Sequence, residues 1–137
     1  MGLFGSMRIS GSGLTAQRLR MDVIAGNISN AETTRVGGQR EPYRRQQVVF
    51  QPQVAPDGAP GGLEVSQIVR DAAPPRQVYE PAHPDADPVT GMVAYPNVDV
   101  ATEMTDLLSA TRAYEANVTV LNALKQMAQK ALDLGRP

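Results

Sequence analysis

Ten of the eleven prolines fall between Pro42 and Pro96, and the eleventh is the final residue. Proline lacks an amide hydrogen and fixes φ, so it is barred from the interior of a helix and from a central strand. Long helices are therefore open only to the two ends of the chain. The stretch between them must be made of turns, extended segments and short strands. Over 137 residues this gives helix, irregular middle, helix: a mainly α chain with a small β insertion.

In the first segment Met7, Leu14, Met21 and Ile28 recur seven residues apart, with Ile24 and Ala31 three residues after the last two. That spacing predicts one apolar seam on a helix over about 7–31. The seam is uneven, because Ser10 and Gln17 interrupt it and each glycine at 11, 13 and 26 costs about 1 kcal/mol against alanine.

The last segment is more regular. From Val100 a four–three spacing passes through Met104, Leu107, Thr111, Tyr114, Val118, Leu121, Lys125, Ala128 and Leu132. Asp99 stands where a capping carboxylate belongs, Glu103 and Asp106 suit the positive end of a helix, and Lys130 and Gly135 mark its close. A second stripe, Leu124, Met127, Ala131 and Leu134, lies on another face, so one partner helix cannot cover both.

Between the helices, 43–50, 63–69, 76–80 and 92–95 read as short strands, the first two joined by the turn-rich APDGAPGG at 55–62. The glycine pairs at 37–38 and 61–62 and the GSG at 11–13 lack the Lys-Ser/Thr of a phosphate loop and the spacing of a dinucleotide fingerprint, so they read as flexible turns. Arg44 and Arg45, at a strand start, read as guards against stray edge pairing.

Several function classes are disfavoured. The formal charge of −1 is spread without a basic block, which argues against a nucleic-acid or anionic-membrane footprint. With no cysteine there is neither a disulfide frame nor a thiolate metal site. No apolar run is long enough for a membrane helix or, near the start, for a cleaved signal. His83, Asp85 and Asp87 in HPDADP could supply metal ligands, but three prolines at 81, 84 and 88 and alternating acids read as an extended, solvated loop. No motif ties Ser10, Ser12 or Ser29 to His83, so no catalytic residue, cofactor or metal is assigned.

The informative polar residues lie on the helices. Asn27 and Asn30 share a face, Asn117 and Asn122 flank Val118 and Leu121, and Arg112 and Glu115 form an i,i+3 pair beside Tyr114. Such amides are commonly solvated. Buried between helices, each would need a partner and would select one packing arrangement.

The segments LTAQRLRMDVIAGNISNAETT, PYRRQQVVF, HPDADPVTGMVAYPNVDVATEM and LLSATRAYEANVTVLNALKQMAQKAL, in that order, resemble the bacterial flagellar basal-body rod proteins of the proximal-rod kind. The run GNISNAETTRVGG departs from the wider rod and hook pattern, with Gly26 where many relatives carry Asn and no Phe after Gly37. The resemblance implies terminal helices, within residues 1–35 and 99–137, paired as a coiled-coil-like hairpin with the β-containing segment 36–98 outside. It also implies a structural subunit of a helical rod that transmits torque across the periplasm, exported without a cleaved signal by the flagellar type III apparatus. The expected partners are copies of itself and other rod proteins, with no nucleic acid and no direct membrane insertion.

On that reading the residues expected to carry packing and assembly are Leu14, Met21, Ile24, Asn27, Ile28 and Asn30 on the first helix. On the second they are Met104, Leu107, Arg112, Tyr114, Glu115, Asn117, Val118, Leu121, Leu124 and Leu132. Within one chain Met104, Leu107, Tyr114, Val118 and Leu121 would pack on Leu14, Met21, Ile24 and Ile28. A cytoplasmic coiled-coil adaptor or secretion chaperone, and a small metal-dependent hydrolase using His83, are the rival readings.

Overall fold

A computed structural model describes residues 2–136. Helix α1 spans Leu3–Ser29 and α2 spans Val100–Leu134. Between them lie β1 (Gln46–Val54), β2 (Pro60–Arg70), β3 (Arg76–Tyr79) and β4 (Met92–Tyr95). The 35 residues of α2 make a rod about 50 Å long. Asp99 caps it as expected: its Oδ1 accepts from the amide of Ala101 at 3.0 Å. At the other end the Gly135 amide turns back to the carbonyls of Ala131 and Leu132.

The strands form two separate two-stranded sheets rather than one appendage. β1 and β2 are joined by a turn in which the Ala55 amide bonds the Ala59 carbonyl at 2.9 Å and Gly58 takes φ +84°. β3 and β4 run antiparallel, Arg76 opposite Tyr95 and Tyr79 opposite Met92. Pro52 lies within β1, which a strand with one unpaired edge tolerates.

The chain divides into two compact units, each drawing on both helices and on the stretch between them. The first comprises residues up to 21, 48–67 and those from 108 onward. Its buried helix residues are small: Ser10, Ala16 and Ala110. Gly13 lies against Asn117, whose Nδ2 is 3.1 Å from where a Cβ on residue 13 would stand, and the Thr111 hydroxyl lies 3.6 Å from the Met21 sulfur. The two helices run antiparallel here, since a step up α1 from 13 to 21 is a step down α2 from 117 to 111. The β1–β2 hairpin seats on α1 through Ser12, whose Oγ accepts from the Leu63 amide at 2.9 Å. Gly62, at φ +114°, makes that approach possible, because a Cβ there would stand 2.4 Å from the same oxygen. The glycines at 11–13 and 61–62, expected as flexible turns, are thus parts of α1 and β2. Where backbones come this close, a missing side chain matters more than helix propensity does.

The second unit comprises residues 22–47 and 68–107. Ile24, Ala31, Val93 and Pro96 are buried in it, together with the polar Asn27, Thr34 and Glu103. Asn30 closes α1 locally, its Nδ2 donating to the Gly26 carbonyl at 2.8 Å and its Oδ1 accepting from Thr33.

Candidate assembly site

Two features stand apart from ordinary packing: a buried polar cluster in the second unit and an exposed apolar stripe in the first.

At the centre of the polar cluster is Asn27, which is fully buried. Its Nδ2 donates to the Gln46 carbonyl at 2.9 Å and to Glu103 Oε2 at 3.1 Å. Its Oδ1 accepts from the Gln46 amide at 2.9 Å and from the Tyr43 hydroxyl at 2.8 Å. Glu103 is also buried, and its other oxygen accepts from Arg45 Nε. Arg45 in turn faces Asp71 at 3.5 Å and Asp106 at 3.6 Å, and its backbone amide bonds Asn97. Among the described residues no buried side-chain polar atom lacks a partner. That is the condition under which such a cluster costs little.

The electrostatics agree with the geometry. Burial works against the Arg45 charge, but the bond to Glu103 and the carboxylates of Glu103, Asp106 and Asp71 prevail, and its pKa is raised. The Tyr43 phenol is also pushed up, first by burial and then by the negative charge of Glu103. It therefore stays protonated and remains the donor to Asn27.

The apolar stripe lies on the distal half of α2, where Val120, Leu124, Met127, Ala131 and Leu134 follow one another at gaps of four and three residues. Val120 is 48 % exposed, Met127 57 % and Leu134 88 %. Leu124 is half-buried and Ala131 exposed.

The HPDADP loop, expected to be extended, is tied down by bonds from Thr34 and Arg35 as well as by bonds of its own. Asp85 accepts from the Thr34 hydroxyl at 2.7 Å and from Arg35, and its amide donates to His83 Nδ1. Asp87 Oδ1 accepts from the Val89 amide. Among the described residues no three His, Asp or Glu side chains converge as metal ligands. The Asp85 carboxyl is held below its ordinary 3.8, first by the Thr34 hydroxyl and then by Arg35.

Two family models match the chain. One described as flagella basal body rod protein covers residues 7–35, and one described as flagellar basal body rod FlgEFG protein C-terminal covers 89–134. The flagellar basal-body rod protein FlgC of Escherichia coli O6:H1 is 47 % identical over 136 residues, covering 99 % of this chain and all of its own length. FlgC of Bacillus subtilis is 45 % identical, with 99 % and 100 % covered, and FlgC of Borreliella burgdorferi is 45 % identical, with 96 % and 97 % covered. The chain belongs to the FlgC family of flagellar basal-body rod proteins. This is a family of rod proteins rather than of enzymes. No helix among the described residues is long and apolar enough to cross a membrane.

The two matched segments of this rod-family chain carry the residues singled out from sequence. Ile24 and Asn27 are buried; Leu14, Met21, Ile28 and Asn30 are half-buried. On α2, Leu107, Tyr114, Asn117, Val118, Leu121 and Leu124 are half-buried, while Arg112 and Glu115 are exposed. Met104, expected to pack within the chain, is 57 % exposed, and Leu132 is 69 % exposed. The reason is local: Glu103 takes the buried position to meet Asn27 and Arg45, and Met104, about 100° further round the helix, is turned outward.

Sequence reasoning missed Tyr43, Arg45, Glu103 and Ser12. Arg45, expected as an edge guard, is instead the cation facing three carboxylates. A usable signal was that Glu103 lies four residues before Leu107 on the apolar side of α2, where a lone acid needs a partner.

Proposed function

We propose that the chain is a structural subunit of the proximal rod of the flagellar basal body, stacked helically with copies of itself and with other rod proteins through its terminal helices. In this role it forms part of the drive shaft that carries torque across the periplasm, delivered there by the flagellar type III export apparatus. In this reading the inner part is the helix pair within 1–35 and 99–137, arranged as a coiled-coil-like hairpin, with 36–98 outside it.

The observation that carries this reading is the apolar stripe Val120–Leu134, spaced for a helical partner yet left on the surface of a single chain. Apolar area stabilises by about 25 cal/mol per Å2 on burial, and standard protein contacts bury roughly 1,600 Å2. Repeated contacts of that size exceed what cores as small as Ala16, Ala110 and Val93 supply. The residues proposed for these contacts are Leu124 with its stripe neighbours Val120, Met127, Ala131 and Leu134, and Leu132 with the exposed Met104, Arg112 and Glu115. Leu14, Met21, Ile28, Leu107, Tyr114, Asn117, Val118 and Leu121 hold the helix pair that presents them.

The test is Val118→Asp in the cell. A carboxylate within the pair abolishes incorporation into isolated basal bodies, while the amount of protein exported is unchanged. Normal incorporation overturns the reading, and loss of export moves the role of this residue to secretion.

A further inference from the structure

Side-chain amides seldom use every hydrogen-bonding position when buried, but Asn27 does. Its two acceptor positions take the Gln46 amide and the Tyr43 hydroxyl, and its two donor positions go to the Gln46 carbonyl and Glu103. The paired bonds to one residue's N–H and C=O, both 2.9 Å, are those a neighbouring strand would make. Asn27 thus stands in for a peptide group at the end of a helix, nineteen residues from the backbone it pairs with.

We propose that Asn27 is a latch that holds residues 43–46 as a strap over the meeting of α1 and α2 in the second unit, so that this unit takes its shape in the single chain before any neighbour is met. Three constraints converge on the strap. The Gln46 backbone is bonded at both its polar groups, Tyr43 closes the amide oxygen, and Arg45 reaches past the amide to the carboxylate that reads its nitrogen side. Since Glu103 and the Gln46 carbonyl are both acceptors, only a donor satisfies them, and since the Gln46 amide and Tyr43 are both donors, only an acceptor satisfies those. An amide of this length has both faces. A carboxylate does not, although its shape is the same.

The chemistry supplies its own test. In Asn27→Asp one oxygen replaces the nitrogen and is set against two acceptors, one of them charged, with no change of size. Hydrogen–deuterium exchange on the dilute, full-length chain reads the Gln46 amide directly. It is protected in the natural chain and accelerates by roughly 100-fold or more in Asn27→Asp. Asn30→Asp, with its amide bonded only within the helix end, leaves Gln46 unchanged. Tyr43→Phe, which removes one donor, accelerates Gln46 by about tenfold or less, and this graded loss serves as the deciding measurement if Asn27→Asp unfolds the whole unit.

A Gln46 amide that exchanges at the unfolded-chain rate in the natural protein overturns the latch. So does an effect of Asn30→Asp equal to that of Asn27→Asp, or no effect of either Asn27→Asp or Tyr43→Phe. The measurement needs no assembled rod, so its failure leaves the proposed function standing, and failure of Val118→Asp in the cell leaves the latch standing.

Discussion

The two units reach a defined shape by opposite means. In the second, polar groups meet across long sequence separations and every one is answered: Asn27, Glu103, Arg45 and the Gln46 backbone. In the first, the contact depends on atoms that are not there, at Gly13, Ala16, Gly62 and Ala110. Taking one partner from a saturated polar cluster strands another, whereas adding a methyl group to a close backbone contact has nowhere to go. The second unit should therefore be most sensitive to groups removed, and the first to groups added.

Glu103→Ala should have the largest effect. It removes the carboxylate that pairs Arg45 and accepts from Asn27, leaving a part-buried guanidinium and a buried amide hydrogen without their acceptor. Breaking a buried pair from one side costs about 3–5 kcal/mol. With Arg45 partly in contact with solvent and still facing Asp71 and Asp106, the lower end applies. Denaturant unfolding followed by exchange at residues of each unit checks it. Amides of 43–47 and 97–106 should open well before those of 61–67. Equal losses in both units would erase the contrast.

Gly62→Ala is the counterpart in the first unit. It adds one carbon at φ +114°, a conformation L residues rarely adopt, 2.4 Å from the Ser12 oxygen. The expected cost is about 1–3 kcal/mol, seen as faster exchange at Leu63 and the hairpin amides. Adding Ser12→Gly should recover only the steric part, because the φ penalty and the lost bond to Leu63 remain. Full recovery would mean that the backbone conformation was never constrained. A disturbance at Gln46 as large as that at Leu63 would mean that the contrast between removal and addition does not follow the units.

How legible these features were depends on how local their causes are. The confinement of helices to the ends follows from prolines alone, the start of α2 from Asp99, and β4 from Met92–Tyr95 between turn residues. Helix α1 begins earlier than its seam suggested, at Leu3, because nothing in the first residues stops it. The burial of Asn27 was open from sequence, since a solvated and a buried amide look alike until Gln46 and Glu103, nineteen and seventy-six residues away, are brought to it. Arg45 was misread for the same reason. Local strand-edge logic gave way to carboxylates from Asp71, Glu103 and Asp106. At its first turn the seam of α2 lies one residue from the expected place, since hydropathy favours Met104 over Glu103 and only the polar cluster reverses that order.

The smallest expected effect separates the cluster at Asn27 from the second polar contact of the same unit. Asp85 holds Thr34 and Arg35 from an exposed loop, and these bonds favour its ionised form, so its folded pKa lies below the ordinary 3.8. A depressed carboxylate contributes stability that is fully present above its unfolded value and is lost as the pH falls through the lowered one. Acid should therefore loosen the 80–91 loop from Thr34 only below about pH 4, the carboxylate range. Loss of the Thr34 and Asp85 chemical shifts from their neutral-pH positions reads this out. Asp85→Asn should flatten the response and leave the Gln46 amide protected, because Asp85 shares no bond with Asn27, Tyr43, Arg45 or Glu103. If Gln46 protection falls in Asp85→Asn, the loop and the strap form one network, and the second unit owes its shape to a wider set of polar groups than Asn27, the three residues bonded to it and Arg45.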